Sequence, residues 1–196
     1  MSTTLADHEA AATVAADIVF RDQLVAVIPA LRSFARGLCG RQHMADDLAQ
    51  DAMTRAWAAR ASYTQGTNFR AWIFVILRNQ FYSIIRKDAR MTSWDPEVAE
   101  RMLVEAPAQQ DRIHINDLAR ALQKLPAEQR EVLLLIGANG ASYEEAAEIA
   151  GCAIGTIKSR LARGRKALAA LIDGPDDAML FARQPHASAD ALRIAE

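Results

Sequence analysis

Cysteine, proline, glycine and acid-free termini are all scarce in this sequence, and each scarcity excludes something. Two cysteines stand among 196 residues, Cys39 and Cys152, far apart and outside any Cys-x-x-Cys pair. A disulfide framework and a structural zinc site are thereby excluded, and a reducing compartment fits. His43 follows Cys39 at a metal-compatible spacing, but no second ligand pair lies nearby. Six prolines and nine glycines leave long stretches without punctuation. With abundant alanine, that points to an all-α protein rather than a sheet. Long hydrophobic runs are missing too. The longest, Ala71 to Leu77, stops at Arg78 and falls well short of a bilayer span. Asp7, His8 and Glu9 stand where a signal peptide needs basic residues. The expectation is a cytoplasmic protein with no membrane attachment.

Motifs for phosphate-cradling glycine loops, His-Glu-x-x-His and Gly-x-Ser-x-Gly are absent, so no catalysis, cofactor or metal is expected. The net charge of −1 would argue against a nucleic-acid partner if charge were spread evenly. It is not. Between Ala52 and Trp94 the only acid is Asp88, against Arg55, Arg60, Arg70, Arg78, Arg86, Lys87 and Arg90. From Cys152 to Ile172 there is no acid, while Lys158, Arg160, Arg163, Arg165 and Lys166 are present. Acids gather around Asp46, Asp47 and Asp51, and again from Asp95 to Asp117. Such segmentation matters more than the total.

Helical periodicity divides the chain into two small domains. Residues 1–17 read as a mobile N-terminal tail, and 18–88 as a first domain. Leu24, Val27, Ile28, Leu31, Phe34, Ala35 and Leu38 keep helical spacing, with Pro29 predicting a kink or break. A second helix from about Ala45 to Arg60 carries Leu48, Ala52, Met53, Ala56 and Trp57 on one stripe. Its acids Asp46, Asp47 and Asp51, with Gln50, load the first turns, where they suit the helix dipole. Ser62–Asn68 reads as a loop, and Asn68 can cap a third helix from Phe69 to about Lys87. Trp57, Trp72 and Phe74 offer this domain a core, at ~150–250 Å² per large aromatic.

Residues 89–113 lose periodicity and contain Pro96 and Pro107, the pattern of a linker. Fully extended, the stretch from Asp88 to Ile113 could span ~85 Å, enough to place two domains on separated sites. A second domain, 114–173, follows. His114–Lys124 forms one helix, Pro126 opens another with Val132, Leu133, Leu135 and Ile136 inward, and Gly137, Asn139 and Gly140 end it. Ser142 with Glu145 makes a capping box, Gly151 a tight turn, and a last helix runs from about Ile154 to Leu171. Residues 174–196 read as a C-terminal tail with a weak amphipathic patch at Ala178–Phe181.

A short helix, a glycine turn and a second helix form the helix-turn-helix plan, which offers its second helix to the DNA major groove. Ala146 is small where the helices cross, and Ile149, Ile154 and Ile157 supply their shared core. Thr156, Lys158, Ser159 and Arg160 fall near base edges, with Arg163, Arg165 and Lys166 toward phosphates. In the first domain, Tyr63, Phe69, Arg70, Trp72, Arg78, Phe81, Tyr82, Arg86 and Lys87 interleave rings with cations, as single-strand recognition requires. Trp72, Phe69 and Phe81 belong rather to the core; the loop, Arg78, Asn79 and Arg86 are the better contact candidates.

Taken in order, Asp46-Asp-Leu-Ala-Gln-Asp-Ala-Met-Thr-Arg-Ala-Trp57, Asn68-Phe-Arg-Ala-Trp-Ile-Phe-Val-Ile-Leu-Arg-Asn79, Leu125-Pro-Ala-Glu-Gln-Arg-Glu-Val-Leu and Gly155-Thr-Ile-Lys-Ser-Arg160 resemble the extracytoplasmic-function sigma factors. The resemblance runs from about residue 20 to 172. Gly66–Trp72, Leu77–Tyr82 and Ser142–Ala147 look most like the alphaproteobacterial general-stress-response subgroup.

That resemblance implies a region 2-like bundle and a region 4-like helix-turn-helix domain, together directing RNA polymerase core to stress-responsive promoters. Asp46, Asp47, Leu48, Gln50 and Asp51 would dock on the polymerase clamp helices. Ser62, Tyr63, Thr64, Gln65, Gly66, Thr67 and Asn68 would capture a flipped −10 base, with Arg78, Asn79 and Arg86 beside them. Thr156, Lys158, Ser159, Arg160, Arg163, Arg165 and Lys166 would read the −35 element. The linker would thread toward the RNA exit path. A small anti-sigma protein of NepR type would hold the factor, itself sequestered by a PhyR-type response regulator, with the factor monomeric when free or 1:1 with the anti-sigma. Two alternatives are a sigma mimic that titrates an anti-sigma factor, which the intact basic helix opposes, and a helix-turn-helix repressor, which leaves Phe69–Lys87 without a purpose.

Overall fold

The computed structural model describes residues 3–92 and 110–172, and every described element is helical. Helix α1 spans Thr3–Cys39, α2 Gln42–Ala58 and α3 Phe69–Thr92, with a 3-10 turn at Arg60–Ser62. Then follow α4 (Gln110–Lys124), α5 (Ala127–Leu133), a π-helical turn at Leu134–Ala138, α6 (Tyr143–Ala150) and α7 (Ile154–Ile172). The expected patch at Ala178–Phe181 and most of the expected linker lie outside the described residues.

In the first domain, Phe20, Val27, Leu31, Phe34, Ala35 and Leu38 line the inward stripe of α1. Helix α2 answers with small residues, Ala45, Ala49, Ala52 and Ala56 being fully buried, which lets its backbone approach α1 and α3 closely. Phe34 stacks on Phe74 of α3 at 4.9 Å between ring centroids. Phe20 centres a second cluster, edge-on to Phe69 at 5.2 Å and to Trp57, Tyr63 and Trp72 at 6.0 Å each. Edge-to-face pairs at these separations add to plain burial.

Three local expectations need correction. The N-terminal segment read as a tail is helical from Thr3, and Asp17 on it receives Arg60 at 2.8 and 3.4 Å. Pro29 does not break α1. Its ring faces solvent while Val27 and Leu31 on either side are buried, so packing carries the helix across the lost N–H. Helix α2 begins at Gln42, earlier than its periodicity suggested, so no acid lies in its first turn. The dipole therefore does less to explain Asp46, Asp47 and Asp51.

In the second domain Ala121 and Leu125 pack with Leu168, tying α4 to α7. Gly164 on α7 lets Leu133 approach: a Cβ there would sit 3.1 Å from Leu133 Cδ1. Ser142 caps α6 by accepting the Glu145 N–H at 3.0 Å, and Gly151 ends it at φ +62°, a left-handed conformation that suits glycine. Ile157 is buried between the helices, but Ile154, expected beside it, is 38% exposed.

The two domains are not held apart. Helix α3 packs against α6, and α1 against α4, α5 and the π turn, so one buried cluster runs from Phe34 and Phe74 through Val132, Leu135, Ala146 and Ile157. Gln123 donates to the Gly37 carbonyl at 2.8 Å across this junction.

Candidate nucleic-acid and polymerase interface

Three surfaces carry the residues singled out from the sequence. On α2, Asp47, Gln50 and Asp51 are exposed. Asp47 lies 2.9 Å from His43, one turn earlier. Asp46 turns toward α1, 3.6 Å from Arg32 and 3.7 Å from Arg36. Leu48, expected on the same docking face, is 3% exposed and belongs to the core, since it sits on the alanine stripe. What remains outward is a short acidic strip.

The second surface is the loop before α3 and α3 itself. Tyr63 is buried, and its hydroxyl donates to the Thr67 carbonyl at 2.8 Å, so the ring anchors the loop instead of facing a base. Ser62 and Thr67 turn their hydroxyls back on the Ala59 and Thr64 carbonyls at 2.7 Å each. Gly66 at φ +87° allows the reversal. Thr64 and Gln65 are left at the exposed tip. Beside them a cavity of about 530 Å³ is lined by Asp17, Phe20, Gln23, Arg60, Tyr63 and Gln65. Arg60, held by Asp17, lies over the Trp57 ring at 4.9 Å.

Helix α3 splits the remaining candidates between faces. Asn79 and Arg86, seven residues apart, share one side and line a groove of about 560 Å³ with Asp51, Arg55 and Ser83 of the first domain. Arg78 and Tyr82, four apart, share another, and there they meet the second domain. Arg78 Nε donates to Glu131 Oε1 at 2.5 Å, and the Tyr82 hydroxyl donates to Glu131 Oε2 at 2.8 Å. Glu131 is completely inaccessible. Burial pushes its carboxyl above the usual range, opposed by the Arg78 charge and by the Tyr82 and Arg78 hydrogen bonds. Asn68 caps α3 by accepting the Ala71 N–H at 3.0 Å, and its amide donates to Glu145 Oε1 at 3.1 Å. Glu145 therefore does not complete the reciprocal capping box expected of it. Arg70 donates to the Asn139 carbonyl.

The third surface is α7. Lys158, Ser159, Arg163, Arg165 and Lys166 are exposed, and Lys158 Nζ lies 5.7 Å from the Tyr143 ring centroid. Arg160 is mostly buried and pairs with Glu128 of α5 at 2.7 Å, so part of its role is to fix α7 against α5. Thr156 is half-buried. No acid interrupts this helix.

Glu131, Asp17 and Gly37 were not selected from the sequence, and Glu145 and Asn139 were read only as part of a cap and as a helix stop. A signal existed for two of them. Glu131 is an acid leading an otherwise apolar run, Val132–Ile136, and Gly37 is a glycine inside a helical stripe. The others depend on contacts between distant segments. Among the described residues no helix is long and apolar enough to cross a membrane, and no cluster of His, Cys, Asp and Glu could hold a metal ion.

Known proteins share this arrangement. Residues 24–91 match Sigma-70 region 2, and residues 115–168 match Sigma-70 region 4. The ECF RNA polymerase sigma factor EcfG of Rhodopseudomonas palustris (strain TIE-1) is 45% identical over 159 residues, which is 80% of this chain and 88% of that one. Sigma factor RpoE of Bartonella quintana, solved in complex with the anti-sigma factor NepR, superposes with a TM-score of 0.70 at 45% identity, over 80% of this chain and 98% of that one. CnrH, solved with the cytosolic domain of CnrY, superposes with a TM-score of 0.62 at 27% identity, over 80% and 88% of the two chains. With a region 2 bundle, a region 4 helix-turn-helix and a relative this near, the chain belongs to the ECF sigma factors of RNA polymerase.

Proposed function

We propose that this chain, in the cytoplasm and without catalysis of its own, directs RNA polymerase core to stress-responsive promoters through three divided tasks. The acidic strip Asp47, Gln50 and Asp51, flanked by Asp46 and supported from beneath by Leu48, docks on the polymerase clamp helices. The loop tip around Thr64 and Gln65, with Asn68, Arg78, Asn79 and Arg86, grips the unpaired −10 strand. Lys158 and Ser159 read −35 base edges, while Arg163, Arg165 and Lys166 meet phosphates. The observation that carries this reading is the exposed, acid-free basic face of α7 behind a capped α6 and a left-handed Gly151.

A NepR-type anti-sigma protein is the proposed 1:1 partner, supported by the likeness to the NepR-bound RpoE, with a PhyR-type regulator releasing it. Run-off transcription with purified core on stress promoters tests the function. Initiation only when the chain is added is expected; initiation at the same level without it, or footprinting of duplex promoter by the chain alone, would overturn it.

A further inference from the structure

Arg130 of α5 is a buried cation that no carboxylate among the described residues answers. It is 9% exposed, its Nε has no hydrogen-bond partner, and its Nη1 donates to the neutral Gln123 Oε1. Glu131, next in sequence, turns instead to Arg78 and Tyr82. Burial pulls the Arg130 guanidinium below its usual range, with only Tyr82 and Cys39 opposing. A buried charge of this kind costs the fold unless an anion joins it. The same side chain lines a cavity of about 450 Å³ between α1, α2 and α3 on one side and α4 and α5 on the other. Leu38, Met44, Phe81, Ile84 and Ile85 make its walls apolar. Leu38 and Phe81 are buried, whereas Ile84 and Ile85 are 38% and 36% exposed, so the lining runs from a closed end to an apolar mouth. Arg41, Arg120 and Lys124 stand at the exposed rim beside one acid, Asp88, and Arg120 is already held by Asp117 at 3.2 Å.

We propose that this cavity binds a free fatty acid of medium chain length, its carboxylate on Arg130 and its alkyl chain along Phe81, Met44 and Ile85. Apolar walls with one placed polar group are the usual make-up of a small-molecule site, and the volume falls in the usual range. With Nη1 on Gln123, the Nε and Nη2 edge of Arg130 is left for a two-pronged carboxylate contact. Gln123 also donates to the Gly37 carbonyl at 2.8 Å, so the guanidinium is held from a fixed neighbour. An amphiphilic monoanion answers both halves of the lining. A neutral alcohol leaves Arg130 unpaired, a short carboxylate leaves the walls wet, and an amine sets a second cation beside the first. The site goes beyond promoter recognition and uses none of the residues assigned to DNA or to polymerase.

The full chain is titrated by isothermal calorimetry with decanoate, n-decanol, decylamine and butyrate, each below its micelle concentration, with thermal melts alongside. Decanoate is expected to bind saturably, one per chain, and to raise the melting temperature, because it binds the folded state and not the unfolded one. Decanol and butyrate should bind about tenfold more weakly or worse, the loss expected when a hydrogen bond to a charged group or the apolar contact is missing. Decylamine should give no saturable binding. Arg130→Met keeps the volume and removes the charge, and should lose the preference for decanoate over decanol. Ile85→Glu lies at the exposed mouth, where it leaves the core intact, and should weaken decanoate by a similar factor through repulsion. It keeps the test decisive even where Arg130→Met fails to fold. Decanol bound as tightly as decanoate, or decanoate affinity unchanged in either folded variant, would overturn the role of Arg130. No saturable decanoate binding, whether the cavity stays empty or admits only an acidic peptide, would overturn the site.

Discussion

Gly37 of α1 and Leu134 of the π turn meet where neither domain could be moved closer: a Cβ on Gly37 would stand 2.3 Å from Leu134 Cδ2. Gly37→Ala is therefore expected to loosen the junction while favouring α1 itself by about 1 kcal/mol. Hydrogen exchange checks this. Amides of α5 and α6 should exchange faster in the variant and those of α2 no faster.

Phe74 stacks on Phe34 at the centre of the shared core, and both are fully buried. Phe74→Ala removes a large ring and leaves a cavity, at a cost of about 3–5 kcal/mol. In urea, the midpoint should fall with both domains affected, since the buried cluster is continuous. An unshifted midpoint would show that the ring is not packed as described.

The Cys39 thiol is pushed up from 9.0 to about 11, chiefly by burial, with Arg130 pulling the other way. A raised folded value stabilises the fold fully below the ordinary thiol range, and that contribution is lost as pH rises through about 11. Wild type should thus lose more thermal stability than Cys39→Ala between pH 9 and pH 11. At neutral pH Cys39 should also react slowly with iodoacetamide, because its thiolate is scarce.

Lys158 and Arg160 should part company when each is replaced by alanine. Lys158 is exposed, so Lys158→Ala should leave the melting temperature unchanged and, if it meets a phosphate, lower the salt slope of −35 DNA binding by about one. Arg160 is paired to Glu128 and mostly buried, so Arg160→Ala should reduce both stability and DNA binding. Thermal melts beside salt-dependent binding separate the two effects.

The helices were legible in the sequence wherever one apolar stripe faced one core, as in α1, α3 and α7. Ser142 and Gly151 were legible for the same local reason, since a cap and a left-handed turn need only near neighbours. Extension of α1 back to Thr3 was not, because Ala- and Thr-rich residues there carry no stripe and the Asp17–Arg60 pair joins segments far apart in sequence. Tyr63 and Leu48 were placed on binding faces by motif position, yet burial claims both. The closed junction was the largest thing hidden. A linker read as long enough to separate two domains sets an upper bound on reach, and says nothing about whether Glu131 finds Arg78.

Association with purified RNA polymerase core tests the central claim most directly, measured for the wild type and for Asp47→Lys with Asp51→Lys across a range of salt. A 1:1 complex for the wild type, weakened severalfold or more by the paired charge reversal, is the predicted result. No complex at any ionic strength would contradict the assignment of a polymerase-docking role to this chain, and equal affinity in the reversed variant would remove α2 as the docking face.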